Sequence, residues 1–173
     1  QDVRAIGEAG DITAIKPLID FVRNRISAYD SSDFASEALA RMGQPAVRPL
    51  IELLEYGRND AKICAIKALG KIKDREAAEP LMKVFYNYEG EEVRINILEA
   101  LGEIGEPASV KMLIETLKGY GGAGIRLRLA AAEALGKTGS ADAIKPLEDT
   151  GNNVKESLQL RDAARKALGK IKS

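Results

Sequence analysis

A short phrase returns along this chain and limits what it can fold into. "EALGEIGEPASVKML" (99–113) has relatives in "KALGKIKDREAAEPL" (67–81), "EALGKTGSADAIKPL" (133–147) and "EALARMGQPAVRPL" (37–50). A weaker copy opens the chain as "RAIGEAGDITAIKPL" (4–18), and "KALGKIKS" (166–173) closes it. The first alanine of each phrase falls at Ala5, Ala38, Ala68, Ala100, Ala134 and Ala167, giving steps of 33, 30, 32, 34 and 33 residues. A period of that size marks stacked supersecondary units, none of which can bury its apolar face alone.

Each unit reads as two helices. Val93, Ile97, Ala100, Leu101 and Ile104 fall on one apolar stripe of helical spacing. Gly105 supplies a left-handed stop, and Pro107 sits near the start of the next helix. There Val110, Leu113, Ile114 and Leu117 share a face. Sustained alternation with period two, the signal of strands, is missing. The expectation is an all-α solenoid, an α-α superhelix of about five two-helix repeats plus a partial N-terminal helix, forming one repeat domain over 1–173.

The unit resembles a HEAT repeat, specifically the short HEAT-like repeat named after phycobilisome lyases. In that family helix A carries a pattern like "AIKPLI" (14–19) and helix B one like "EVRINILEALGEIG" (92–105). The resemblance covers the whole chain. The helix A proline recurs as Pro17, Pro49, Pro80 and Pro146, with Met112 in its place once. The apolar-basic pair opening helix B is Val93-Arg94, Leu127-Arg128, Leu160-Arg161 and Ala61-Lys62, and is lost as Ser31-Ser32. By resemblance, that basic residue serves a ladder between repeats.

The ends differ. Ile95, Leu98 and Gly102, like Ile63/Ile66/Gly70 and Leu129/Ala132/Gly136, suit contact with a following repeat, whereas the last helix carries Asp162, Arg165 and Gly169 there. A polar outer face is what a terminal cap requires, so the C-terminus reads as a true end. The chain opens inside a helix B with no helix A before it, so it is expected to be the C-terminal part of a longer array.

Composition narrows the chemistry. There is no histidine, which removes Ser-His-Asp and Cys-His nucleophile systems and any histidine-ligated metal. Formal net charge is zero, unlike a general nucleic-acid binder. Hydrophobic residues at 45% and charged residues at 30% describe a globular chain, and no apolar run is long enough to span a membrane. One cysteine, Cys64, forms no internal disulfide, and a cytoplasmic setting is expected.

"GYGGAG" (119–124) has the G-x-G-x-x-G spacing that cradles a dinucleotide pyrophosphate. That fingerprint needs a strand before it and a helix after it. A helix is expected from about Ile125, but "ASVKMLIETLK" (108–118) before the loop has helical spacing. Asp142, which mimics the ribose-binding acid, sits in the next inter-helix turn. The loop is an enlarged connection between helices A and B.

The resemblance implies a protein-interaction scaffold whose B helices line a concave surface. Stepping along each B helix gives Asp30, Phe34, Glu37 and Arg41, then Asp60, Cys64, Lys67 and Lys71. The third gives Glu92, Asn96, Glu99 and Glu103, the fourth Arg126, Ala130, Glu133 and Lys137, the last Gln159, Ala163, Lys166 and Lys170. One edge begins acidic and the other is mostly basic. That pattern suits a partner of complementary charge. It equally suits the helix macrodipole, which favours acids at N-termini and bases at C-termini by roughly 0.3–1 kcal/mol each.

The candidate partner-binding residues are therefore Phe34, Glu37, Arg41, Cys64, Lys67, Lys71, Asn96, Glu99, Glu103, Glu133, Lys137, Lys166 and Lys170. Phe34 is the best single anchor. Tyr86 and Tyr88 could form a satellite patch, with Phe85 in the core. The expected partner is a protein of unknown identity, with no cofactor, metal or catalytic residue. Two other readings stay open: a bilin-lyase-like subunit acting on phycobiliprotein chromophores, as the resemblance implies, and phosphate-backbone binding along Arg41, Lys71, Lys137 and Lys170.

Overall fold

The computed structural model describes residues 12–25, 29–88 and 90–173, with side chains except those of 25 and 29–32. The first anchor, Ala5, with the partial helix expected around it, and the side chains of Asp30, Ser31 and Ser32 lie outside the described residues. Within them there are ten α-helices and no strand. The A helices are α1 (Ile15–Arg25), α3 (Val47–Tyr56), α5 (Ala78–Asn87), α7 (Pro107–Leu117) and α9 (Ile144–Asn152). The B helices are α2 (Tyr29–Arg41), α4 (Asn59–Ile72), α6 (Glu91–Ile104), α8 (Ile125–Thr138) and α10 (Leu158–Lys172). This is an all-α helical solenoid.

The chain groups into two compact units, Gln1–Tyr88 and Glu89–Ser173. In the first, α3 packs on both α1 and α5, α2 packs on α4, and α3 joins the two layers through α4. In the second, α8 lies between α6 and α10, while α7 and α9 pack on α8 and α10 respectively. The leucines of the four middle phrases (Leu39, Leu69, Leu101, Leu135) are fully buried, while Leu168 of the closing one is half-buried. The stripe of Val93, Ile97, Ala100, Leu101 and Ile104 is buried as its spacing predicts, as are Val110, Leu113 and Leu117, while Ile114 is half-buried.

The repeated alanine and glycine meet each other. A Cβ placed on Gly102 of α6 would stand 2.7 Å from the Cα of Ala134 in α8. One on Gly136 of α8 would stand 2.9 Å from the Cα of Ala167 in α10. The glycine of one copy thus receives the alanine of the next, and the phrase is complementary to itself one period later. Gly169 faces open space, and the exposed Asp162 and Arg165 pair with each other at 3.8 Å.

Five residues after Ala68, Ala100 and Ala134, helix B stops in the left-handed region. Gly105 and Gly139 hold φ of 68° and 66°, and Lys73 takes the same turn at 60°, while Gly43 after α2 has a φ of 66° with an extended ψ. A side chain there crowds its own backbone, so Lys73 is the strained member.

Helix A is shaped by its proline. Pro17, Pro49, Pro80 and Pro146 are each the third residue of their α-helix, and each α-helix follows a single 3₁₀ turn: Ile12–Ala14, Gln44–Ala46, Arg75–Ala77 and Ala141–Ala143. Proline has no N–H for the carbonyl four residues earlier. That carbonyl falls inside the 3₁₀ turn in all four cases, and the chain tightens there instead. Where Met112 replaces the proline, α7 starts directly at Pro107.

The far end of helix A is tied down by the basic residue of helix B. Lys62 Nζ donates to the carbonyls of Leu54 (2.5 Å) and Glu55 (3.1 Å) at the end of α3. Arg128 Nε donates to the Leu117 carbonyl (2.7 Å) at the end of α7. Its two other nitrogens form a fork on Glu156, at 2.9 and 2.6 Å. Glu156 belongs to the connection leading into α10, so Arg128 joins one repeat to the next, as the family resemblance implies. Lys62, with a single nitrogen, bonds within its own repeat. The hydrogen-bonded Arg128 guanidinium holds the Glu156 carboxyl below the usual range, against the opposing effect of burial.

Three outcomes are expected in urea unfolding. Gly102→Ala or Gly136→Ala loses about 1–3 kcal/mol through overpacking, whereas Gly169→Ala gains about 0.5–1 kcal/mol from helix propensity. Equal effects at all three sites would refute the glycine-on-alanine contact. Lys73→Gly gains about 1 kcal/mol by relieving the left-handed strain. Glu156→Gln loses about 1–2 kcal/mol at pH 7. Because the folded carboxyl titrates below its ordinary value of 4.5, its contribution is present above that pH and disappears as pH falls through the folded value. The two proteins should therefore converge in strong acid.

Candidate functional site

The outward side of the B helices carries most of the candidate residues, and their placement divides them into three groups. The first is wholly or partly buried. Cys64 is fully buried, so its expected place on a binding surface is corrected: its helix position is turned inward. Phe34 is half-buried, and Asn96 is half-buried with its amide donating to the Glu92 carbonyl at 2.9 Å.

The second group is paired from helix to helix. Lys67 meets Asp33 at 2.6 Å, and Lys71 bonds Glu37, across α2 and α4. Lys137 meets Glu103 at 2.8 Å, and Arg126 meets Glu91 at 2.6 Å, across α6 and α8. In each pair the acid lies on the earlier helix and the base about one period later. The Lys71 ammonium holds the Glu37 carboxyl below its usual range by hydrogen bonding and charge. Such exposed pairs are individually worth about 0.2–1 kcal/mol. Their larger effect is to neutralise charges that, taken one helix at a time, read as an acidic edge and a basic edge.

Asp33 and Glu91 are members of this ladder that stepping along single helices leaves out. The signal that finds them is an opposite charge at a separation of 34 or 35 residues. The ladder also bears on the basic stripe: Lys71 and Lys137 already have carboxylate partners, while Arg41 and Lys170 are exposed.

The third group is exposed and outside the ladder. Glu99 on α6 and Glu133 on α8 occupy equivalent positions one period apart, between the Arg126–Glu91 and Lys137–Glu103 pairs along the same two helices. Both of these positions carry an acid, where the flanking positions match acid with base. Lys166 and Lys170 on α10 are likewise exposed.

The glycine loop is a connection between helices, as its context predicts. Gly119, Gly121 and Gly122 hold φ of 83°, 66° and 72°, α7 precedes the loop and α8 begins at Ile125. Asp142 is exposed in the 3₁₀ turn ahead of α9. Of the aromatic cluster, Phe85 is core, Tyr88 is half-buried, and Tyr86 is 63% exposed with its ring edge-on to Phe85 at 5.6 Å. Among the described residues no helix is long and apolar enough to cross a membrane.

This arrangement of helix pairs has close parallels. A designed armadillo repeat protein in complex with the peptide (KR)4 is similar with a TM-score of 0.61 and 19% identity, over 98% of this chain and 85% of that one. An engineered protein of known crystal structure gives 0.54 and 18%, over 98% and 88%. A further designed armadillo repeat protein gives 0.53 and 16%, over 98% and 91%. At these identities the likeness is one of fold. No curated protein matches the chain. A profile of HEAT repeats matches residues 47–119 and 88–169, most of the chain and the same stretch in which glycine and alanine interlock. The chain belongs to the HEAT repeat family.

Proposed function

We propose that this protein is a non-catalytic protein-interaction scaffold that binds an extended segment of a partner along its B helices. Its fold is of the kind that generally serves as a non-enzymatic scaffold. The observation that carries the reading is the pair of exposed acids, Glu99 and Glu133, which have no ion-pair partner among the described residues and lie between two cross-helix ion pairs. Two carboxylates held at equivalent positions on adjacent rigid helices attract a cation between them. A lysine or arginine of the partner would complete the row.

Around that centre Asn96, Glu103 and Lys137 border the segment, and Lys166 and Lys170 on α10 suit acids further along it. In the first unit the corresponding row is Phe34, Glu37, Arg41, Lys67 and Lys71, with Phe34 as its aromatic anchor. The mechanism is preorganisation. Within each unit, helices locked by close packing and by ion pairs present these groups at fixed spacing, so few rotamers remain to be frozen on binding. One structural neighbour is described as holding the peptide (KR)4, and a basic segment is the chemistry that Glu99 and Glu133 call for.

The test is titration calorimetry of the full chain with the peptide (KR)4 at low salt. The native protein is expected to bind it, and the double variant Glu99→Lys/Glu133→Lys to bind about tenfold or more weakly, as loss of two charge contacts implies. Circular dichroism should show equal helicity for the two. Unchanged affinity in the variant would remove these acids from the site and the reading with them.

A further inference from the structure

The exposed large apolar side chains among the described residues fall on one kind of place. Of Ile12, Tyr56, Tyr86, Tyr120, Ile125, Val154 and Leu158, all but Ile12 lie where an A helix passes into its B helix. Four successive repeats share the feature. Stacking covers the faces of both helix layers but leaves these connections open to solvent, so nothing in the packing of the repeats requires apolar groups there.

In the first unit this edge is a cleft of about 410 Å³. Tyr56, 83% exposed at the end of α3, forms one wall. Val84 of α5 and the half-buried ring of Tyr88 supply apolar lining, and the Tyr88 hydroxyl donates to Asn59 Oδ1, which fixes the ring. The ammonium of Lys62 sits 5.9 Å from the centre of that ring. Two of its hydrogens go to the Leu54 and Glu55 carbonyls, and the third has no acceptor among the described residues. At the rim Lys83 lies 3.6 Å from Glu55, a loose pair. Two ammonium groups therefore face one carboxylate beside an apolar floor, an excess of a single positive charge. Burial pushes the Lys62 ammonium toward its neutral form, and Glu55 only partly offsets this.

We infer that this cleft docks an extended peptide segment of a partner protein that carries an acidic side chain next to an apolar one. The carboxylate is taken by Lys62 and Lys83, and the apolar side chain rests on Val84 between Tyr56 and Tyr88. A carboxylate matches the single excess charge. A phosphate would bring nearly two negative charges beside Glu55 and the carbonyl end of α3, where the helix dipole is already negative. The site lies apart from the B-helix row and asks for the opposite charge in its ligand.

The experiment is an NMR titration of the ¹⁵N-labelled full chain with three probes: acetyl-Leu-Glu-Phe-Leu-amide, its glutamine counterpart, and its phosphoserine counterpart. The glutamate peptide is expected to shift the amides of Lys62, Val84 and Tyr88. About tenfold weaker binding is expected for the glutamine peptide, for the Lys83→Glu variant and for Tyr56→Ala, whose exposed ring is dispensable for folding. The Glu99→Lys/Glu133→Lys variant should bind the glutamate peptide as the native chain does, which keeps this site distinguishable from the B-helix row. Equal binding of the glutamine peptide would make the cleft a purely apolar contact and overturn the assignment. Tighter binding of the phosphoserine peptide, or no shift at millimolar glutamate peptide, would also overturn it.

Discussion

The contact on which the rest of this structure depends is the seating of an alanine in the place where a glycine has no side chain. Gly102 against Ala134 and Gly136 against Ala167 bring the B helices of the second unit so near that a methyl group does not fit between them. Helices at that separation bury their leucines without gaps, and dispersion forces grow steeply as gaps close. The same nearness lets a carboxylate on one B helix reach an ammonium or guanidinium on the next, as with Glu91 and Arg126 or Glu103 and Lys137. Close packing and the charge ladder are thus one feature seen at two depths.

A stack of short helices has many ends, and each end leaves backbone groups without intrahelical partners. This protein answers with a repeated set of devices. Three B helices end in a left-handed residue, four A helices begin in a 3₁₀ turn set by their proline, and α3 and α7 end under a cation supplied by the following B helix. Lys62 and Arg128 perform that last task in different repeats with different side chains. The guanidinium has donors to spare and uses them on Glu156, which is why the arginine also links two repeats. Where a repeat departs from the pattern, the local structure follows: Met112 comes with a helix that starts at Pro107, and Lys73 takes up a strained turn in a place where glycine stands elsewhere.

Function is left to what the stacking does not consume. Many charges on the B helices are spent on each other, so a simple count of acids and bases along one helix overstates the field a partner meets. The groups that matter are those left over: Glu99 and Glu133 between matched pairs, and the tyrosines and lysines at the open edge between α3 and α5. On the readings proposed above, the first suits a basic segment and the second an acidic and apolar one. A scaffold with two surfaces of opposite preference can hold two different segments.

The repeat period, the helix pairing, the core stripes and the stops at Gly105 and its equivalents were legible in the chain itself. Each is local: helical spacing, proline and glycine act within a few residues of where they stand. The glycine loop was also legible, because a helix and not a strand precedes it. What only the tertiary structure decided is which polar residues face one another across helices. Cys64 shares a spacing with Phe34 and Asn96 yet is turned fully into the core, since helix rotation is set by packing and not by the helix's own sequence. Lys67 and Lys71 read as groove cations until α2 brings Asp33 and Glu37 beside them. Charge pairing depends on distances between segments about 34 residues apart, and such distances exist only once the helices have packed.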